Sequence, residues 1–293
     1  MGEFLQQLWN GLSIGSVYAL VAVGYTLVFG VLKFINFAHG SILTLGAYIA
    51  LVIALQKVVP FPVAMGASMV LSGLFSMLTE QKIYRQLRVK NAPRLNMLIT
   101  SIGISLLVEN SIVVYFSADY HIYPRILSGI PIELGQVLIP PVDIFLVVGA
   151  VILMLALWFF VNRTLTGLSI KAVSMDRDAA SLMGINVNGA ISVTFFLAGV
   201  MASTAGLLIG MKFSVSPSLG GLFGLKSFSA AVLGGIGSIQ GAYIGGYLIG
   251  FLETFGAGYI SSNFKDAIAF ILLVLVLLFK PSGLFGKGTK EKV

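Results

Sequence analysis

The stretch Arg163–Gly189, R-T-L-T-G-L-S-I-K-A-V-S-M-D-R-D-A-A-S-L-M-G-I-N-V-N-G, is the one long interior segment of this chain that is not itself a credible membrane span. Apolar blocks flank it on both sides. Basic residues concentrate in the cytoplasmic loops of membrane proteins. Arg163, Lys171 and Arg177 therefore predict that this segment lies on the cytoplasmic side.

A short helix is predicted inside this segment. Ser174 or Asp176 is a plausible N-cap and Gly184 a plausible stop, because these residue types favour the two ends of a helix. Between them, apolar residues recur at three- and four-residue spacing: Met175, Ala179, Leu182 and Met183. The other face is polar: Arg177, Asp178 and Ser181. Such a helix either docks a partner protein or tethers the loop to the bilayer surface, and its periodicity fits both.

Composition defines the class of protein. Hydrophobic residues make up 57% of the chain and charged residues 10%, against about 25% charged residues in an average soluble domain. This excludes an ordinary soluble fold and predicts a polytopic protein in contact with membrane lipid. The net charge of +7 is carried by loops between apolar runs, where it orients the chain in the membrane. No nucleic-acid partner is therefore expected.

Several kinds of chemistry are excluded by what the sequence lacks. It has no cysteine and only two histidines, His39 and His121, far apart, so no metal site is expected. No Gly-x-x-x-x-Gly-Lys-Ser/Thr motif occurs; Gly283–Thr289 comes closest and fails in its spacing and in the residue after its lysine. No set of serine, histidine and carboxylate suggests catalysis. We expect neither a cofactor in this chain nor an enzyme, and uphill transport would draw its energy from another subunit.

Apolar blocks occur along the whole chain, and the first of them is long enough to cross a hydrocarbon core of roughly 30 Å, whereas the last is short. Their bounds are 8–32, 41–55, 63–78, 95–116, 142–161, 190–211 and 266–279. The first block is rich in small residues, which predicts close packing inside a bundle. The strongest positive run, Lys82–Arg94, is expected to be a cytoplasmic loop. Counting outward from it puts the N-terminus outside and the basic tail inside.

The last third of the chain is harder to divide. Residues Gly220–Gly258 are too long for one span and too apolar for a loop, so they form either two short spans or a re-entrant segment plus a span. Ser117–Pro141 is predicted to be an exterior loop, with Arg125 as its one basic residue. The fold expected is all-α: a polytopic integral membrane protein with about eight or nine transmembrane helices, some of them broken, in one domain over 1–293.

Two interrupted apolar segments resemble each other. Gly40-Ser-Ile followed by Gly46-Ala-Tyr-Ile matches Gly237-Ser-Ile followed by Gly241-Ala-Tyr-Ile, which is either an internal duplication or a coincidence in a glycine-rich chain. Paired breaks at membrane depth point to a transport pathway. With the polar residues of the fourth block they supply the candidate pathway residues: Asn36, Phe37, His39, Gly40, Glu109, Asn110, Gly234, Gly235, Gly237 and Ser238.

Three classes of function fit these observations unequally. A transport subunit driven by an external ATPase fits the lack of a nucleotide site. A self-sufficient secondary transporter or channel would depend on Glu109 or Glu253, and the sparse acids within the apolar blocks argue against it. An integral membrane enzyme would need clustered Asp, His or Glu at one membrane face, and it ranks last because no such cluster is visible.

Three stretches together resemble the permease subunits of branched-chain amino acid ABC importers. They are Gly15–Gly40, ending in Ile-Asn-Phe-Ala-His-Gly; Asp178-Ala-Ala with Gly184-Ile-Asn; and Ala230–Ala242, with Leu-Gly-Gly-Ile-Gly-Ser at its centre, followed later by Lys280-Pro-Ser-Gly. The likeness covers nearly the whole chain. It is to the shorter, first-type permease subunit of the pair.

The resemblance implies a role for the opening segment. In ABC importers a cytoplasmic Glu-Ala-Ala-x-x-x-Gly loop of the permease docks into a groove on the ATPase. Here Asp178 replaces the glutamate, the two alanines and Gly184 match, and the Leu-Pro that often closes the motif is absent. Within the loop at about 163–189, coupling is thereby assigned to Met175, Asp176, Arg177, Asp178, Ala179, Ala180, Leu182, Met183 and Gly184. A bulky charged residue at Ala180 or Gly184 is expected to uncouple ATP hydrolysis from transport while leaving the fold intact.

The resemblance further implies alternating access in a bacterial-type inner membrane. The partners would be a second permease subunit, identical or different, two ATP-binding subunits that hold ATP and Mg, and an extracytoplasmic solute-binding protein. That protein would dock on the outer loops Ser117–Pro141 and Lys212–Leu225. The implied solutes are branched-chain or other small neutral amino acids, with urea or other amides as the alternative.

Overall fold

The computed structural model describes residues 2–56, 59–124, 129–280 and 282–286. Arg125, Pro281 and most of the basic tail, residues 287–293, lie outside these ranges. The helices are α1 (Gly2–Leu32), α2 (Ala38–Leu55), α3 (Phe61–Thr79), α4 (Arg85–Val89), α5 (Arg94–Phe116), α6 (Pro141–Arg163), α7 (Leu165–Met175), α8 (Arg177–Leu182), α9 (Val187–Lys212), α10 (Leu219–Gly234), α11 (Ile239–Tyr259) and α12 (Lys265–Phe279), with a π-helical segment at Glu80–Tyr84 and a 3₁₀ turn at Ser262–Phe264.

Within the described ranges, seven helical segments are long and apolar enough to cross a membrane: α1, α2, Phe61–Val89, α5, α6, α9 and Ser262–Phe279. The sequence-based expectation was about eight or nine transmembrane helices. The 16-residue helix α10 and helix α11 are not among the seven. The all-α, polytopic membrane class is confirmed.

Helix α1 is the central helix. Its most apolar window is 94% buried, against 28% for the windows of α5 and α6. The cause is a row of small residues: a Cβ on Gly15 would lie 2.9 Å from the Cα atom of Tyr247 in α11, and one on Gly24 would meet the ring of His39 in α2. Because small residues let helix backbones approach closely, the first span packs inside the bundle as expected.

The expectation of a loop at Lys82–Arg94 is wrong for most of its length. The third span continues as a helix from Phe61 to Val89 through the π-helical segment. Tertiary contacts keep this charged stretch helical: Tyr84 is fully buried, and the buried carboxylate of Glu80 lies 3.0 Å from the guanidinium of Arg88. Only residues 90–93 form the turn into α5.

The region Gly220–Gly258 is divided into two helices, α10 and α11, as both alternatives for this region require. Helices α10 and α11 pack antiparallel, so that a Cβ on Gly245 would lie 2.1 Å from the carbonyl oxygen of Ala230. The connection between them is possible because Gly235 and Gly237 adopt φ angles of 105° and 102°, a region that glycine enters without steric cost.

The loop between α5 and α6 contains the one pair of strands in the described residues. Strands β1 (Ile132–Leu134) and β2 (Val137–Ile139) form a hairpin in which Leu134 pairs with Val137. Gly135, at a φ of 64°, makes the tight turn between them.

This hairpin packs on the start of α1. The side chain of Gln6 donates to the carbonyl oxygen of Leu138 at 3.1 Å and accepts from its backbone nitrogen at 2.8 Å. We call this end of the bundle the hairpin end. The loop between α9 and α10 also lies at this end, because its Val215 forms a backbone bridge with His121 of the loop after α5.

The opposite end gathers residues that the sequence predicts to be cytoplasmic. Lys33, Arg88, Arg94 and Arg177 line one cavity there, and we call this the basic end. Partial burial, with help from the nearby Arg177 and Arg94, lowers the pKa of Lys33. These cations come from three separate stretches of the chain, so the fold brings together residues that the charge pattern assigned to one side.

Candidate functional site

Helix α8 begins and ends where the sequence predicts. Of the two N-cap candidates it is Asp176 that caps α8, because its Oδ1 accepts from the backbone nitrogens of Asp178 at 2.9 Å and Ala179 at 3.0 Å. Ser174 instead lies in the last turn of α7. Gly184 follows the helix at a φ of 80°, a left-handed conformation that suits glycine after a helix end.

The apolar side chains of this segment point away from the bundle. Met175, Leu182 and Met183 are 87%, 89% and 81% exposed, and Ala179 is exposed beside them. Ala180 is 4% exposed and faces the bundle instead. Large apolar side chains clustered on a surface mark interaction sites, so α8 presents a small apolar face toward whatever lies beyond the basic end.

The segment is held firmly by its caps and by one anchor. The Thr164 hydroxyl accepts from the backbone nitrogen of Gly167 at 3.0 Å, and the Asn186 side chain accepts from that of Gly189 at 2.9 Å, so α7 and α9 are both capped. Arg177 donates from its guanidinium to the carbonyl oxygen of Val31. Partial burial and the nearby Arg88 lower the pKa of Arg177.

The first helix break is a packed junction. Asn36 is 3% exposed, and its Oδ1 accepts from the hydroxyl of Tyr84 at 2.9 Å and from the backbone nitrogen of Ala38 at 3.2 Å. The backbone nitrogen of Phe37 donates to the hydroxyl of Ser101 in α5 at 3.1 Å. These contacts compensate the backbone groups freed where α1 ends and α2 begins.

Two further candidates of this break lie in the core. His39 is 1% exposed, with its ring edge-on to Tyr25 at 4.6 Å between centroids. Gly40 touches α10: a Cβ on Gly220 would lie 1.9 Å from the carbonyl oxygen of Gly40. Next to this contact the backbone nitrogen of Gly220 donates to the hydroxyl of Thr44 at 2.8 Å. Gly220 was missed in the sequence because a glycine contact between distant helices has no local signal.

The second break is closed from one side by the end of the chain. The backbone nitrogen of Phe285 donates to the carbonyl oxygen of Gly234 at 3.0 Å, and a Cβ on Gly235 would meet Gly286 at 2.5 Å. Ser238 caps α11 by accepting from the backbone nitrogen of Gly241 at 3.1 Å.

The two breaks are joined by α10 rather than packed on each other. The first turn of α10 touches Gly40 and its last residue is Gly234. The 16 residues of α10 separate them by about 24 Å at 1.5 Å per residue. The structure thus places the two sets of candidates at opposite ends of one short helix.

A cavity of about 250 Å³ opens between the second break and the coupling segment. Its wall includes Gly237 and Ser238 on one side and Lys171 and Ser174 of α7 on the other, with Trp158 of α6 at the edge. Sequence analysis did not link these stretches. Their proximity shows that the second break faces the loop that carries α8.

The remaining two candidates lie apart from all others. Asn110 is exposed on the outer face of α5, where its side chain donates to the backbone of Leu106 at 2.7 Å. Glu109 is half-buried next to it. Within one chain, therefore, these polar groups line no interior passage and face outward from the bundle.

Glu253, the acid on which a gradient-driven transporter would depend, has structural partners. It is fully buried and lies 3.0 Å from Nζ of Lys226 and 3.2 Å from Nζ of Lys265. The hydroxyl of Tyr18 donates to it at 2.6 Å. Lys226 also pairs with Asp266 at 2.5 Å. The carboxylate, bound by two lysines, joins α10, α11 and α12.

The sequence of this chain is similar to those of known transport proteins. Residues 7–277 match the family model described as branched-chain amino acid transport system / permease component. The chain is 39% identical to the high-affinity branched-chain amino acid transport system permease protein BraD of Pseudomonas aeruginosa, over 99% of this chain and 98% of that protein. It is 37% identical to the corresponding permease protein LivH of Escherichia coli, with the same coverage.

A more distant likeness extends to sugar permeases. The ribose import permease protein RbsC of Escherichia coli is 28% identical over 94% of this chain and 85% of that protein. No solved structure matches. Because the family model and the two nearly full-length likenesses agree, this chain belongs to the family of permease components of branched-chain amino acid transport systems.

Proposed function

We propose that this chain is the membrane-spanning permease of an ATP-driven importer that passes branched-chain or other small neutral amino acids across the inner membrane by alternating access. The observation that carries the proposal is the exposed apolar face of α8 on a rigidly capped and anchored base. Relatives named as branched-chain amino acid permeases support the solute class. Urea or another amide is the alternative solute within the same group.

Energy enters through α8. Met175, Ala179, Leu182 and Met183 form an apolar surface at the basic end, and the chain has no nucleotide-binding loop of its own. The partner that covers this surface is an ATPase subunit, two of which bind ATP and Mg. Burying one leucine side chain contributes about 1.5–3 kcal/mol, so these exposed side chains would contribute substantially to a docking contact.

The pathway lies between two permease chains. A polar group facing lipid within a span is costly, and Asn110 and Glu109 lie on the outward side of α5. A second permease subunit, identical or different, removes that cost by facing the same side of α5. The polar residues of α5 then line the passage between the subunits.

The sidedness follows the charge distribution. The basic end, with α8, faces the cytoplasm together with the C-terminus, and the N-terminus lies outside. The hairpin end then faces the solute-binding protein. A self-sufficient transporter or channel is less well supported, because Glu253 is held by Lys226, Lys265 and Tyr18 and Glu109 is only half-buried, beside the exposed Asn110.

The decisive experiment is the Leu182→Asp variant in the complete transporter, reconstituted with its ATPase and solute-binding protein. Placing a carboxylate on the apolar face should weaken ATPase docking about tenfold or more and reduce uptake in proportion. Val89→Asp is the control, because Val89 is also 73% exposed near the basic end but lies outside the coupling segment. Uptake and ATPase binding unchanged by Leu182→Asp would overturn the proposal.

This variant is a sharper test than a charge at Ala180. Ala180 is 4% exposed, so a bulky charged side chain there would disturb the packing of α8 on the bundle. The expectation that such a change uncouples while leaving the fold intact is therefore revised. Leu182 is 89% exposed, and its replacement leaves the internal packing untouched.

A further inference from the structure

The π-helical segment Glu80–Tyr84 lies in the last third of the helix Phe61–Val89. Such segments are rare, and they occur often at functional sites because the extra residue per turn redirects side chains. Here the segment aims two side chains, Glu80 and Tyr84, in different directions. Both are fully buried, and neither has a part in the functions described above.

Glu80 ties this helix to the beginning of α9. Its carboxylate accepts from the hydroxyl of Ser192 at 2.5 Å and from the guanidinium of Arg88 at 3.0 Å. Arg88 in turn donates to the side chain of Asn188 at 2.7 Å, and Arg85 donates to Ser192 at 3.0 Å. Asn188 and Ser192 lie in the first two turns of α9, directly after α8 and its terminal Gly184.

Tyr84 ties the same segment to the first helix break. Its hydroxyl donates to Oδ1 of Asn36 at 2.9 Å, the atom that also accepts from the first backbone nitrogen of α2. Its ring packs against Phe34 and Phe195, at centroid distances of 5.2 and 5.6 Å. One turn of helix therefore contacts the coupling segment's continuation on one side and the break on the other.

We propose that Glu80 and Tyr84 are positioning residues that transmit displacement of α8 and α9 to the break at Asn36. The inference rests on the coupling role proposed for α8. A buried carboxylate that loses its partners costs several kcal/mol, so Glu80 has to follow Ser192 and Arg88 when α9 moves. Tyr84, one turn later in the same segment, then shifts the side chain that organises the start of α2.

The ion network also has the means to adopt a second arrangement. Nε of Arg85 and Nη1 of Arg88 are buried and find no partner among the described residues. Unused donors beside a buried carboxylate allow it to exchange partners without losing its compensation. The exchange gives α9 two stable positions relative to α3 and α4, as a two-state transport cycle requires.

The test uses Tyr84→Phe in the complete transporter, reconstituted in proteoliposomes with its ATPase and solute-binding protein. The substitution removes one hydroxyl and keeps the ring packing. We expect the amount of solute taken up per ATP hydrolysed to fall several-fold. Tyr18→Phe is the matched control. It removes another fully buried tyrosine hydroxyl that donates to a side chain, that of Glu253, at a site remote from α8. Its ratio of solute taken up to ATP hydrolysed should equal that of the parent.

A double-mutant cycle separates transmission from loss of packing. Asn36→Ala should lower the ratio as Tyr84→Phe does, and the two together should lower it no further. Glu80→Gln, which keeps the size but not the charge, should lower the ratio, and Glu80→Asp should recover part of it. These variants also decide the matter if Tyr84→Phe does not assemble.

The outcomes distinguish this inference from the proposed function. A normal ratio in Tyr84→Phe and Glu80→Gln, with uptake lost in Leu182→Asp, would overturn the transmission role and leave the coupling role of α8 standing. Normal uptake in all three would overturn the proposed function itself. An equal fall in Tyr18→Phe would show general loss of packing and would also overturn the transmission role.

Discussion

The guanidinium Nε of Arg177 donates a 2.8 Å hydrogen bond to the carbonyl oxygen of Val31, so that α8 is attached to the last turn of the most buried helix in the bundle. We expect Arg177→Met to keep an unbranched apolar stem, to lose this bond, and to reduce uptake per ATP hydrolysed. Arg177→Lys should retain part of the coupling, since a single ammonium group replaces the planar fork. Equal ratios in the parent and the Met variant would show that the bond is dispensable.

Gly184 should tolerate asparagine better than alanine. Its φ is 80° and a Cβ would meet nothing within 4 Å, so the cost of substitution is backbone strain alone. We expect Gly184→Ala to destabilise the fold by about 1 kcal/mol and Gly184→Asn by less, because asparagine enters the left-handed region more readily. Thermal unfolding of the purified chain in detergent measures both; identical midpoints would contradict the left-handed cap.

Gly220 and its neighbour form a matched pair. A Cβ on Gly220 would overlap the backbone of Gly40, whereas one on Gly221 meets nothing within 4 Å. Gly220→Ala should therefore cost at least about 1–3 kcal/mol, the usual cost of overpacking, and Gly221→Ala should cost far less. The measurement is the unfolding midpoint of each variant, and a similar midpoint in both would refute the close approach of α2 and α10.

The ion pair of Lys226 and Glu253 should behave as structure rather than as a proton carrier. Glu253→Leu leaves the buried Lys226 with Asp266 as its remaining acidic partner, and we expect a loss of about 3–5 kcal/mol. Lys226→Met together with Glu253→Leu should recover most of it, because two apolar residues replace the pair. A Glu253→Leu variant that is stable yet inactive would instead favour a functional role for this acid.

The outward face of α5 can be examined directly, because the chain has no cysteine. If this face lines the passage between two permease subunits, Asn110→Cys should react with a water-soluble maleimide in the assembled transporter. Val148→Cys on α6, a position 50% exposed in the single chain, serves as the lipid-facing control and should react slowly. Equal rates at the two positions would contradict a water-filled passage beside α5.

Much of the coupling segment was predictable because its signals are local. Asp176 caps α8 through backbone groups two and three residues away, and Gly184 ends it through its own conformation. The apolar spacing predicted which residues share a face, although whether that face points outward depended on the bundle. The division of Gly220–Gly258 into two segments was predictable for the same reason, because the turn between α10 and α11 depends on the local glycines Gly235 and Gly237.

The charged stretch after the third span shows where such reasoning fails. Lys82–Arg94 has the composition of a loop, but Glu80 is compensated by Ser192, which is 112 residues away, and Tyr84 by Asn36, 48 residues away. These partners anchor Glu80 and Tyr84 to the bundle and make most of the expected loop helical, although the residues around Tyr84 stay at least partly exposed. The outward position of Asn110 likewise follows from which side of α5 the rest of the bundle covers.

The sequence by itself determined the membrane class, the approximate spans, the charged end and the caps of α8, since hydropathy, charge bias and helix capping act within a few residues or along one helix. The tertiary structure alone decided that Gly40 meets Gly220, that α10 separates the two breaks, and that Glu80 links α9 to α3. Close helix approach and compensation of buried charge depend on partners far along the chain. The residues around Gly40 or Glu80 in the sequence do not specify which distant residue each of them contacts.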